Sequence, residues 1–192
     1  MLSSGDIQSR FIKKRMETVL LILIGVLSRL LPHPANMTAV GGVAIYSGAK
    51  IDTKKALIIT FGTMFLSDAV IGFHSLMWAT YGSLMVAVLV GRCVGPRTNV
   101  QRIFGGTLAA SVIFFIITNF AVWAATPLYV KTLSGFIDCY IMALPFFRNS
   151  VIGDFGYTFI IFGSLQFILY GVQRIHMVVV AKKQNEIDRV YA

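Results

Sequence analysis

The chain has 192 residues, of which 56% are hydrophobic and only 13% charged, and it carries a net charge of +9. A soluble domain carries about 25% charged residues, so too few polar side chains are present to cover a water-soluble globule. A bilayer crossing takes ~20 apolar residues, which limits the chain to about five to seven spans in one bundle with no second domain.

The first segment, residues 1–15, is polar and basic, and residues 16–173 are read as a single transmembrane domain followed by a basic tail, 174–192. No small-residue cleavage site follows Leu31, so the N-terminus is expected to be retained. Span 1 is predicted over about Met16 to Leu31, with Arg29 near its far end. His33-Pro34-Ala35-Asn36 then breaks the apolar run. Span 2, about Asn36 to Ala49, is short and dense in small residues, and Ala44-xxx-Gly48 would let another helix approach closely. Span 3 covers about Ala56 to Ile71 and contains Asp68; span 4 covers about Leu76 to Gly91. A polar loop with a Gly-Pro turn leads to span 5, about Ile103 to Ala125, and span 6 covers about Val151 to Val172.

Between spans 5 and 6, Leu133 to Phe147 is short for a crossing and contains Asp138 and Pro145. Charge parity decides its status, because cytoplasmic loops collect Lys and Arg. With six spans and the N-terminus inside, the inner segments hold Arg10, Lys13, Lys14 and Arg15; Lys50, Lys54 and Lys55; Arg92, Arg97 and Arg102; and Arg174, Lys182, Lys183 and Arg189. Those are 14 of the 17 basic residues, leaving Arg29, Lys131 and Arg148 outside. Leu133 to Phe147 is therefore expected to be a short interfacial or re-entrant helix on the outer face. The fold class is an all-α integral membrane six-helix bundle with both termini cytoplasmic. The same split accounts for the net charge without any nucleic-acid partner.

Ionisable groups at membrane depth are costly and need a partner or a function. In this arrangement they gather at the outer ends: Arg29, His33 and Asn36; Asp68 and His74; Asn119 and Trp123, one turn apart on one face; and Arg148 and Asp154. A concave site with aromatics and a few placed polar groups is the default binding site. Asn36, Asp68, Asn119, Trp123, Arg148 and Asp154 are the predicted solute-binding residues, with Arg29, His33 and His74 in structural or gating roles. Four of these residues could equally form internal ion pairs, Arg29 with Asp68 or Arg148 with Asp154. Trp78, Tyr81, Tyr129 and Tyr140 fit an interfacial aromatic belt. His33 and His74 read as interfacial hydrogen-bonding residues. Cys93 and Cys139 fall on opposite sides of the membrane, and no Cys/His spacing indicates a metal. No cofactor is implied.

Four blocks, LPHPANMTAVGGVAIYSGA, LSDAVIGFHS, FFIITNFAVWA and CYIMALPFFRNSVIGDFGY, resemble the signatures of an uncharacterised family of small, mostly bacterial six-span membrane proteins. That family is in turn similar, more distantly, to the substrate-binding S components of energy-coupling factor transporters. The resemblance implies a bacterial plasma or inner membrane, a solute pocket near the outer face, and partners that are a transmembrane coupling protein and two cytoplasmic ATPases. Span 1, TVLLILIGVLSRLL, departs from S components in lacking an Ala-xxx-Ala docking patch, for which small-residue span 2 is a candidate substitute.

The functional expectation is a solute-binding transport subunit for a small, near-neutral polar solute. Any ATP would be used by partners, since there is no Walker motif. A self-sufficient secondary transporter or channel is the alternative. A membrane enzyme, with Asp68, His74 and Asp154 as an acid-base set, lacks a supporting nucleophile or metal motif, so no enzymatic activity is predicted.

Overall fold

The computed structural model of the chain describes residues 4–96, 99–165, 167–172, 174–175 and 177–179. Arg97, Thr98 and the basic tail beyond residue 179 lie outside the described residues, as does the side chain of Arg10. Among the described residues the chain is all-helical, with α1 (Ser4–Leu30), α2 (Val40–Lys50), α3 (Thr53–Ile71), α4 (Met77–Val94), α5 (Val100–Ala125) and α6 (Leu133–Ile160). A π-helical turn, Ile161–Leu165, continues α6.

Local chemistry sets most of these ends. Asp52, Asn99 and Thr132 cap α3, α5 and α6 by accepting from the backbone N–H of Lys55, Arg102 and Gly135. Such caps satisfy donors that have no partner inside the helix. Gly72 and Gly95 close α3 and α4 with φ of 113° and 77°, which glycine adopts without a Cβ clash.

One expected boundary is absent. Leu133 to Phe147 is not a separate outer helix; it is the first half of α6, which runs unbroken through Pro145. Proline inside a helix removes one hydrogen bond and costs about 3 kcal/mol. A full break in apolar surroundings would orphan several backbone groups at several kcal/mol each, so the continuous helix is the better solution.

The helices are arranged around α2. It packs against α1, α3, α4, α5 and α6, while the outer helices meet in the order α1–α3–α4–α5–α6. Nine of its eleven residues are buried, and large apolar side chains are exposed on each of the other five helices but not on α2. Two glycines allow its closest contact. A Cβ on Gly48 would run into the Val88 carbonyl oxygen of α4, and one on Gly91 of α4 into the Ile45 carbonyl oxygen of α2. The two backbones touch because neither position carries a side chain. The small residues of span 2 are thus spent inside the bundle, and α2 presents no docking surface.

α5 shows the pattern for a helix facing lipid. Its buried positions are Ile103, Thr107, Ala110, Ser111 and Ala121, while Phe104, Leu108, Ile116 and Phe120 point outward. Among the described residues, three helices are long and apolar enough to cross a membrane: α4, α5, and α6 with its continuation to Val179. Length and outward apolar faces suggest a membrane protein. With 11 residues, α2 is only about 16 Å long at ~1.5 Å per residue, roughly half a ~30 Å hydrocarbon core. At one end of the bundle the column along its axis is filled by packed side chains of Leu21, Tyr46, Ile59 and Ile161. There the Tyr46 hydroxyl donates to Glu17 at 2.8 Å. At the other end the column is left to the loop before α2 and to open space.

Candidate functional site

The loop between α1 and α2 is built by local turns. His33 Nδ1 lies 2.6 Å from the Leu31 carbonyl, and the Met37 N–H donates to the Pro34 carbonyl at 3.0 Å. Asn36 sits in that turn at φ 64°, a left-handed conformation that Asn tolerates better than other residues with a side chain. The loop is then tied back to α1: Ser28 Oγ accepts from the Ala39 N–H at 2.9 Å. That bond satisfies the N–H of Ala39, the residue at the N-cap of α2, which has no side-chain oxygen to cap the helix itself.

Behind the loop lies a polar network joining α1, α3 and α4. The Arg29 guanidinium donates to Asp68 Oδ1 at 2.5 Å and to Ser67 Oγ at 2.8 Å. Asp68 Oδ2 accepts from the Tyr81 hydroxyl at 2.6 Å. Asp68 is fully buried, and the Arg29 side chain is 15% exposed. Tyr81 is therefore no belt residue; it is buried and fixes the carboxylate. Trp78, one turn earlier, is 61% exposed and does face outward.

Above α2 opens a recess of two lobes. The first, about 320 Å³, lies between Arg29, His33, Asn36, the first turn of α2 at Val40 and Gly41, and Asp154. The second, about 340 Å³, is lined by Asn36, His74, Asn119 and the aromatic rings of Phe115, Phe146 and Phe147. Arg29, Asn36, Thr80, Phe114 and Ser150 line both lobes, so the two adjoin. Each lobe has the size of a small-molecule pocket, mostly apolar with a few polar groups.

The polar groups of the recess differ in how far they are satisfied. Asn119 Nδ2 donates to the Phe115 carbonyl at 2.8 Å, and its side-chain oxygen has no partner among the described residues. Asp154 Oδ2 accepts from Ser111 Oγ at 2.7 Å. Its Oδ1 lies directly over Gly41, where any Cβ would overlap it. Ser150 is 7% exposed and its hydroxyl has no partner among the described residues. No group of three metal-ligating side chains occurs among the described residues.

A family model described as "Family of unknown function (DUF6580)" matches residues 10–177. The chain belongs to this family. No curated protein and no solved structure matches it. The DUF6580 match spans α2 to α6 and nearly all of α1, and so includes every residue of the recess.

Within this DUF6580 chain the structure brings Asn36, Asn119 and Asp154 to the recess walls, with Arg29, His33 and His74. Asp68 stands one layer behind, reaching the recess only through Arg29. Trp123 and Arg148 line neither lobe. The Trp123 indole donates to the Val130 carbonyl at 3.1 Å and packs on Phe136, which fixes it to the α5–α6 link. Arg148 is exposed, because two residues along a helix turn about 200° and carry it away from Ser150. Of the two candidate ion pairs, Arg29–Asp68 forms and is the one ion pair among the described residues. Sequence reasoning missed Ser111, Ser150, Thr80 and Gly41. Ser150 is four residues before Asp154 and shares its helical face, a signal that was available.

Proposed function

We propose that the protein is a membrane solute-binding component of a transport system, capturing a small polar solute in the recess above α2. The observation that carries this reading is the half-length central helix: its missing turns are replaced by a space of two adjoining lobes, mostly apolar with a few polar groups. Irregular backbone within a bundle is tolerated where it lines a cavity, and the 31–39 loop does so.

The reading takes the bundle as six spans with both termini cytoplasmic. Lys50 donates to the Pro96 carbonyl at 2.8 Å, so the α2–α3 and α4–α5 links lie at one end. Those links and the adjoining helix ends carry Lys50, Lys54, Lys55, Arg92 and Arg102, and basic residues favour the cytoplasmic side. The recess is at the opposite end and would open outward.

The resemblance to energy-coupling factor S components supports partners that use ATP. Since α2 is enclosed, a coupling protein would dock on another helix. A second reading, a self-sufficient carrier, is favoured by the interrupted α1–α2 segment, because secondary transporters place short helix ends at their sites. Co-purified ATPase subunits support the first, and uptake by the pure protein in liposomes supports the second.

Native mass spectrometry of gently purified protein tests solute capture. Wild-type protein is expected to carry a small molecule that Thr80→Phe, which puts a ring into the wall shared by the two lobes, does not. Identical spectra from the two proteins would remove the recess as the site.

A further inference from the structure

We infer that the recess recognises a positively charged nitrogen on its solute, held by the Asp154 carboxylate, with the solute's apolar or aromatic body in the second lobe. This rests on the reading of the recess as a solute site and adds the chemical class of the solute.

The charges around the recess decide its sign. Arg29 is already paired with Asp68 at 2.5 Å. Lys131 donates to the Trp123 and Thr126 carbonyls, away from both lobes. Arg148 lines neither lobe. Apart from His33 and His74 at the rim, Asp154 is the ionisable wall residue with no charged partner among the described residues. The recess is one negative charge out of balance.

Asp154 is also short of hydrogen bonds. A carboxylate offers about four acceptor positions, and Ser111 Oγ fills one of them. That hydroxyl has a single hydrogen, shared between Asp154 at 2.7 Å and the Thr107 carbonyl at 3.0 Å. The other carboxylate oxygen lies over Gly41, in the first turn of α2, and a side chain at that position would displace it. An ionised carboxylate inside a bundle is costly until a cation joins it. An ammonium group supplies both the charge and up to three donors.

The rest of the recess fits the rest of such a solute. Phe114 lines both lobes, and Phe115, Phe146 and Phe147 line the second. Aromatic faces attract organic cations and stack on apolar bodies. A metal ion is a poorer match, because one carboxylate without two further ligands does not make a site. An anion would meet Asp154 and find Arg29 occupied.

Calorimetry on the purified full-length protein in detergent tests this with three probes of similar shape: 2-phenylethylammonium, 2-phenylethanol and 3-phenylpropionate. The ammonium probe is expected to bind wild type roughly 10–100-fold more tightly than the other two, the scale of one charge-assisted hydrogen bond. Asp154→Asn should remove that preference. If Asp154→Asn fails to fold, the wild-type preference among the three probes carries the test. Equal binding of the alcohol, preference for the carboxylate, or no binding of the ammonium overturns the inference. Alcohol binding that Thr80→Phe abolishes would do so while leaving the solute recess standing. Probe binding unchanged in Thr80→Phe would overturn both.

Discussion

Asp68→Leu and Arg29→Met each remove one half of a pair that the bundle encloses. Asp68 is fully buried and the Arg29 side chain is 15% exposed, so neither partner left alone regains much water. Breaking such a pair costs about 3–5 kcal/mol because an uncompensated charge remains. In Asp68→Leu the Tyr81 hydroxyl also loses its acceptor, about 1–3 kcal/mol more. The double variant removes both charges and should recover most of the loss, leaving chiefly the Tyr81 penalty. Adding Tyr81→Phe to the double variant should then bring stability to within about 1–2 kcal/mol of wild type, since apolar replacement of a buried pair is often neutral. Reversible unfolding in mixed micelles, followed by circular dichroism, reads all four variants against wild type. Single variants that each lose under about 1 kcal/mol, or a double variant that loses the sum of the two, would show that the pair is not enclosed as described.

The other predictions concern backbone geometry. Gly48→Leu and Gly91→Leu should each destabilise the bundle by at least about 1–3 kcal/mol, because a Cβ alone already meets a carbonyl oxygen of the facing helix. Gly62→Ala and Gly105→Ala, where a Cβ meets nothing within 4 Å, should be neutral or slightly stabilising in the same unfolding assay. Asn36→Gly should be tolerated, whereas Asn36→Val should cost about 1–3 kcal/mol, since a β-branched residue resists the φ of 64°. Equal midpoints for the two Asn36 variants would mean the turn does not hold Asn36 in that conformation.

Much of the helical plan was legible in the sequence. Each predicted span from 1 to 5 overlaps one helix, α1 to α5, because apolar runs ended at Asn, Asp, Gly or Pro with a stated structural reason. The α6 boundary was not legible. Pro145 reads as a break by its chemistry, and only the surroundings decide that the helix continues. The small residues of span 2 signalled close packing, but not that α2 is central and enclosed on all sides by five neighbours. For the recess, Asn36, Asn119 and Asp154 were legible as polar residues in apolar runs. Arg148 was selected by depth alone, which says nothing of the face a side chain takes, and Trp123 by sharing a helical face with Asn119, which does not decide what its ring packs against. Ser111 and Ser150 were overlooked, and Tyr81 was assigned to the interfacial belt, because hydroxyl groups and a single tyrosine are ordinary in spans; what gives them meaning is the partner each faces or lacks.

The account depends on an outward-opening, solute-sized recess above α2, and cysteine accessibility at Ser150 measures that most directly. Ser150 lines both lobes, and replacing the two native cysteines, Cys93 and Cys139, with alanine leaves a Ser150→Cys thiol alone in the chain. A small, membrane-impermeant thiol reagent applied to right-side-out vesicles should modify it, and Thr80→Phe should slow that reaction sharply by filling the space in front of it. Modification only after the vesicles are opened, or at a rate that Thr80→Phe leaves unchanged, would contradict the account.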